Sequence, residues 1–300
     1  MGSLTAFTTR FAFPFSPSPF SLLTFSLLPF SPSPLSLLPS PFSPSPSSLL
    51  PYLGGVLHTI PSVVGPGDAV RDVLVATPPG YESGTRRHPV VYLQDGQNLF
   101  DEETSFAGSW SLLETLEEVD VSLPPIIVGI PNLGPERLRE YSPFDDVIRG
   151  EGEGVGYLRW LTEVVKPTID REFRTLPERE HTAVGGSSMG GLFAMYALLG
   201  GAATFGSAWV MSPAFWYADG AIFRWLARQP APVGRIYLDI GLKEDAEAVD
   251  DARRMRDLLV NRGWKPGSTL EYVEDPEGDH DEASWARRLR DEWRRLVGML

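Results

Sequence analysis

VGGSSMGGLFAMYAL, residues 184 to 198, sets a serine between glycines at the point where a short apolar strand runs into an apolar helix. In Gly186-Ser187-Ser188-Met189-Gly190 the chain must turn sharply at the middle residue, and Gly186 and Gly190 leave room where a side chain would collide. This is the pattern of a nucleophile elbow, with Ser188 as the candidate nucleophile. The same turn points the backbone N–H of Met189, and the N-terminus of the following helix, at the place where a tetrahedral intermediate carries its negative oxygen. Residues 181 to 185 are short and β-prone, and the apolar run from Leu192 continues without a breaker to Gly200-Gly201. Strand, serine and helix therefore follow one another in the required order.

Outward from the elbow, short apolar runs bounded by Gly and Pro recur at 70–77, 89–93, 125–130, 181–185, 206–211, 234–240 and 269–273. Most are continuous runs, not alternations, which is the pattern of strands covered on both faces and hence of a mostly parallel sheet. Segments 109–119, 154–173, 189–200, 247–262 and 282–298 have helix-like composition, and Gly263 closes the fourth. Alternating strands and helices predict an α/β fold with helices on both faces of a central sheet. In such folds ligands sit beyond the carboxyl ends of the strands.

A serine hydroxyl is a weak nucleophile and needs a histidine within hydrogen-bond reach, itself oriented by a carboxylate. Of four histidines, His58 lies near the Pro-rich border, His88 precedes a strand, and His181 starts the strand leading to Ser188 and so falls at its wrong end. His280 alone follows the last strand, in a loop that enters the final helix, and is the candidate base. The acid should follow the preceding strand, where Glu244 and Asp245 stand just past Gly241. Asp239 lies inside that strand and is expected to point into packing or a neighbouring loop. Spacing favours Glu244 and keeps Asp245 as a competitor. The second oxyanion donor is expected from the loop Gln94-Asp95-Gly96-Gln97-Asn98, with the amide of Gln97 as the donor and Gly96 allowing close approach. Asp95 is a candidate substrate contact. The segment 212–217, just after a strand, is a candidate wall of the binding site through Trp216; Trp110, Phe144, Trp160, Trp209, Phe215, Tyr217 and Phe223 are either further wall residues or core.

Composition divides the 300 residues unequally. Residues 1–55 are dominated by Pro, Ser, Leu and Phe, with Arg10 the one charge before Asp68. Pro at this density prevents helix and sheet pairing and interrupts every apolar run before it is long enough to span a bilayer. This segment reads as a disordered extension or a misplaced start, with a hydroxyl-rich targeting peptide as the alternative. Residues 56–300 form the expected catalytic domain. The net charge of −13 argues against nucleic acid or an anionic membrane as partner. The arginines from Arg287 to Arg295 read as the wet face of an amphipathic helix. The absence of cysteine rules out disulfides, thiolate metal sites and a cysteine nucleophile. It suits the cytoplasm, with plastid targeting or export left open. The acidic cluster of Asp275, Glu277, Asp279, Asp281 and Glu282 lacks EF-hand spacing and reads as a solvated loop, so no metal is expected. Nothing in the sequence bears on oligomeric state.

Taken together, VVYLQDGQNLFD (90–101), EYSPF (140–144), GYLRWLTEVVKPTIDREFRT (156–175), VGGSSMGGLFAMYAL (184–198), IYLDIGLKED (236–245) and GDHDEASWARRL (278–289) resemble the putative esterase family of α/β-hydrolases. This is the group that contains esterase D, enterobactin esterases, feruloyl esterases and mycolyltransferases. The resemblance covers about residues 56 to 298. It implies an α/β-hydrolase fold, Ser188 as nucleophile, His280 as base, Glu244 as acid, and the amides of Gln97 and Met189 as oxyanion hole. It also implies hydrolysis of a small-molecule carboxylic ester through an acyl-enzyme, with no cofactor. An acyltransferase or thioesterase on the same triad and a non-catalytic binding descendant are the other readings.

Overall fold

The computed structural model describes residues 50–52, 54–105, 108–230 and 234–300; the expectation for the Pro-rich residues 1–49 lies outside them. The strands are β1 Leu50–Tyr52, β2 Gly55–Val64, β3 Val70–Thr77, β4 Val90–Gln94, β5 Ile126–Ile130, β6 Thr182–Ser187, β7 Ser207–Met211, β8 Arg235–Gly241 and β9 Leu270–Asp275. Among the described residues these nine form one sheet in the order β1-β2-β3-β5-β4-β6-β7-β8-β9. The pairs from β1 to β5 across β2 and β3 are antiparallel, and those from β5 through β4 to β9 are parallel. β1 lies on the N-terminal side of the border at residue 56 expected from composition, and pairs Leu50 with Leu57. Each of the seven expected strands is present within two residues of its expected ends. Strands β4 to β7 are buried along their whole length, as their uninterrupted apolar sequences require.

The helices are α1 Leu112–Glu118, α2 Arg137–Tyr141, α3 Gly154–Trp160, α4 Lys166–Glu172, α5 Met189–Gly200, α6 Tyr217–Leu226, α7 Ala246–Asn261 and α8 Glu282–Val297. A π-helical turn, Leu161–Val165, joins α3 to α4 and makes the expected 154–173 segment continuous. α2 and α6 lie outside the expected helical segments; in α6, YADGAIFRWL carries a breaker in its first turn, and Ala218, Asp219 and Gly220 take left-handed dihedrals before the helix proper begins. One face of the sheet packs on α5, which is apolar all round and buried from Met189 to Leu198 apart from Tyr196. The other face packs on α8 through Trp285, Leu289, Trp293 and Leu296, with the Trp293 and Trp209 rings edge to face at 5.9 Å. This two-sided burial is the α/β-hydrolase architecture, and it leaves the turns after β4, β6, β7, β8 and β9 to build a site at one end of the sheet. Among the described residues no helix is long and apolar enough to cross a membrane.

Candidate active site

Ser188 sits between β6 and α5 with φ 55° and ψ −119°, a backbone conformation seldom adopted by residues other than glycine. Backbone bonds hold it there: its N–H donates to Met211 O, and its carbonyl accepts from Ala214 N and Leu192 N, each at 3.0 Å. The side chain is half-buried and faces His280, whose Nε2 lies 3.0 Å from Ser188 Oγ. His280 Nδ1 lies 2.6 Å from Glu244 Oε2. A carboxylate can only accept, so Nδ1 carries the proton and Nε2 is free to accept from Ser188. An edge-to-face contact with Trp285, centroids 5.1 Å apart, packs the imidazole from the side.

Of the two candidate acids, Glu244 is buried and reaches His280, whereas Asp245 is exposed and stands at the N-cap of α7. The backbone decides between them: Leu242 N and Lys243 N bond to Asp275 O and Gly278 O, turning the chain so that position 244 points inward. His58 instead lies near Thr77 and Glu82, His88 bonds Pro124 O, and His181 bonds Leu300 O at the far end of the sheet. Burial alone would raise the Glu244 carboxyl, but hydrogen bonds from His280, Ser212 and Gly241 outweigh it and hold the group below its usual range.

Asp239, expected to point into packing or a neighbouring loop, is completely buried at the end of β8, and burial pushes it up from 3.8 to about 6 against the pull of Arg288. The folded state then keeps this proton to higher pH than the unfolded chain does. The group accordingly contributes no destabilisation below about pH 4, and stability falls as pH rises toward 6. The melting temperature of the wild type relative to Asp239→Asn is therefore expected to fall between about pH 4 and 7. Glu244 has the opposite dependence but is common to both proteins and cancels in the difference. A difference that stays constant with pH would show that the Asp239 carboxyl is not shifted.

On the opposite side of Ser188, the loop after β4 turns at Asp95, which has a left-handed φ of 57°, into a single helical turn at Gly96–Asn98. Gln97 in this turn and Met189 at the start of α5 are first-turn residues, whose N–H groups have no partner within their own helices. The Gln97 side chain is used structurally: its Oε1 accepts Asn132 N at 3.1 Å. Asp95, expected to meet substrate, is instead 4% exposed with its carboxylate taken up by the protein. Arg137 Nε and Nη2 each donate to it at 2.7 Å, as does Asn132 Nδ2, and the Tyr141 hydroxyl lies 3.3 Å away. A buried carboxylate needs such partners, and the short helix α2 supplies the cation.

Most of the candidate wall aromatics are core: Trp110, Trp160, Trp209, Phe215, Tyr217 and Phe223 are all buried. Phe144 is partly buried against that core, and Trp216 is 43% exposed, with the Arg149 guanidinium 5.3 Å from its ring centroid. The bond from Ala214 N to Ser188 O ties this segment to the elbow. Arg137 was not singled out from sequence, Ser212 was read only as the start of a wall segment, and Arg288 only as one of a run of solvated arginines. Arg288 corrects the reading of the C-terminal arginines as a wet face, since it is 2% exposed. Its spacing of three from Trp285, and its place beside Leu289, put it on the buried stripe of α8 and were the available signal.

The family model described as "Esterase: Putative esterase" matches residues 68–296. The uncharacterized protein YbbA of Bacillus subtilis (strain 168) is 28% identical over 185 residues, 59% of this chain and 70% of that protein. An IroE-like serine hydrolase from Shewanella oneidensis superposes with a TM-score of 0.65 at 22% identity, covering 81% of this chain and 79% of that one. The enterobactin esterase FES from Shigella flexneri superposes with a TM-score of 0.60 at 18% identity, covering 82% of this chain and 61% of that one. At such identities the two solved structures share the fold.

Proposed function

Because the chain belongs to the putative esterase family and is a carboxylic ester hydrolase, we propose that it acts by two-step acyl transfer on a triad of Ser188, His280 and Glu244. The observation that carries this reading is the unbroken hydrogen-bonded path from Ser188 Oγ through His280 to the buried Glu244, with contacts of 3.0 and 2.6 Å. His280 Nε2 takes the Ser188 proton as Oγ attacks the ester carbonyl, and Glu244 stabilises the imidazolium that forms. The N–H groups of Gln97 and Met189 receive the oxyanion, the latter at the positive end of α5. His280 then protonates the departing alcohol, and water repeats the sequence in reverse to free the acid. The substrate is a small-molecule ester, with exposed Trp216 contributing an aromatic wall beside the elbow.

The direct test is covalent trapping. Incubation with an alkyl fluorophosphonate is expected to add a single adduct, with peptide mass analysis locating it on Ser188, and to block turnover of p-nitrophenyl butyrate in parallel. An adduct on another residue, or inhibition with Ser188 unmodified, would count against the mechanism.

A further inference from the structure

Behind Glu244 lies a buried charged cluster that the acyl-transfer steps leave unused. Arg288, whose side chain is 3% exposed, reaches from α8 to the ends of β8 and β9. Its Nη2 donates to Ser212 Oγ at 2.6 Å, and Ser212 Oγ stands 2.5 Å from Glu244 Oε1. A guanidinium has donors only, so Ser212 must accept from Arg288 and its one hydroxyl proton goes to Glu244. Oε1 also accepts Gly241 N at 2.9 Å, which leaves Oε2 for His280.

The backbone of Ser212 is itself held in place. Its φ is 40°, in the left-handed region, and its N–H is shared between the carbonyl and Oδ1 of Asp239, both at 3.1 Å. Around the guanidinium stand three carboxylates: Asp239 on β8 at 3.6 Å, with Glu244 after β8 and Asp275 at the end of β9 each at 3.8 Å. Arg287 on α8 pairs with Asp275 at 2.5 Å from the solvent side, and buried Tyr237 neighbours Asp239. A Cβ on Gly278 would come within 2.7 Å of Arg288 Nη1, so the bare backbone there gives the guanidinium its slot.

We propose that Arg288 is a positioning residue for the triad: acting through the Ser212 hydroxyl, it fixes the orientation of Glu244 toward His280 and offsets the carboxylates packed behind it. The proposal rests on the esterase reading above. It predicts two separable effects. Loss of the Ser212 link lets Glu244 turn and lowers kcat. Loss of the Arg288 charge adds net negative charge behind the imidazole, favours imidazolium, and moves the acid limb of the kcat/KM profile to higher pH.

The experiment measures p-nitrophenyl butyrate hydrolysis between about pH 5 and 9 for wild type, Ser188→Ala, Ser212→Ala, Arg288→Lys and Arg288→Gln, with a thermal melt for each. Ser212→Ala is expected to lose about 10-fold in kcat with KM nearly unchanged, and Arg288→Gln about 10- to 100-fold. The acid limb of Arg288→Gln should rise by about one pH unit, and Arg288→Lys should restore its position because the charge is kept. Wild-type kcat and limb in Ser212→Ala and Arg288→Gln overturn the proposal. So does a loss that is even across pH and no smaller in Arg288→Lys, since that describes lost packing. If Arg288→Gln does not fold, Ser212→Ala, which removes one oxygen atom, decides. Activity that survives Ser188→Ala would instead sink the esterase reading. The downfield proton resonance of His280 Nδ1–H then tests the positioning role by itself: a shift in Ser212→Ala supports it, and an unchanged resonance overturns it.

Discussion

Replacement of Ser188 by Ala is expected to reduce kcat for p-nitrophenyl ester hydrolysis by about 10⁴- to 10⁶-fold, with His280→Ala losing a comparable amount and the double variant little more than either alone. The reason lies in the geometry. Ser188 Oγ has one proton to lose and one acceptor 3.0 Å away to receive it, and that acceptor is held in the correct tautomer by a carboxylate at 2.6 Å. Without the serine there is no acyl-enzyme; without the imidazole the hydroxyl stays protonated, and the serine gives little rate. Two residues that act only together share one loss. Residual turnover should come from the oxyanion donors and binding alone. Stopped-flow or steady-state kinetics on folded variants reads this directly. Additive losses, or a Ser188→Ala variant within ten-fold of wild type, would mean that the serine and histidine do not act as a unit.

Gly96→Ala is expected to cost about 10²- to 10³-fold in kcat while leaving Ser188 reactive toward a small phosphonate. The oxyanion donors proposed here are main-chain groups, so substitution cannot delete them, but displacing the loop can. A Cβ at position 96 would lie 2.4 Å from the Gly129 carbonyl carbon and 2.5 Å from Ile130 N. Both are backbone atoms of β5 and cannot swing aside. The turn must therefore lift, carrying the Gln97 N–H away from the substrate oxygen. Asp95 anchors the other side of the turn through Arg137, so the displacement should stay local and the melting temperature should fall modestly. Wild-type kcat in a folded Gly96→Ala protein would remove Gln97 from the proposed oxyanion hole.

The parts of this molecule that declared themselves in sequence are those where one residue type has one physical use. Gly and Pro punctuate the strands, and the short continuous apolar runs between them read as strands covered on both faces; the sheet was legible in this way from β3 to β9, with β3 and β9 keeping partly exposed positions. Ser188, Glu244 and His280 could be picked out as candidates because each follows a strand, and the structure brings their side chains together. What escaped was pairing between distant charges. Nothing local to Asp95 announces Arg137, which lies 42 residues along the chain, and without that partner a loop aspartate reads as available to substrate. Arg288 escaped for a related reason. Arginine on an amphipathic helix is ordinarily solvated, and only the carboxylates gathered from β8 and β9 make its burial tolerable. The choice between Glu244 and Asp245 depended on two backbone bonds to the β9 turn, which no property of either side chain encodes.

The dihedrals of Ser188 place the proposed nucleophile in a region of backbone space that is nearly the preserve of glycine, and holding an L-residue there costs on the order of 1–3 kcal/mol. Glycine would relieve that strain, while its greater freedom in the unfolded chain returns only about 0.5–1 kcal/mol of the gain. On the proposed mechanism the protein thus carries, at its nucleophile, a thermodynamic burden that a single substitution would lift. Robustness alone would favour glycine at position 188, so a serine held there is what the proposed turnover would require.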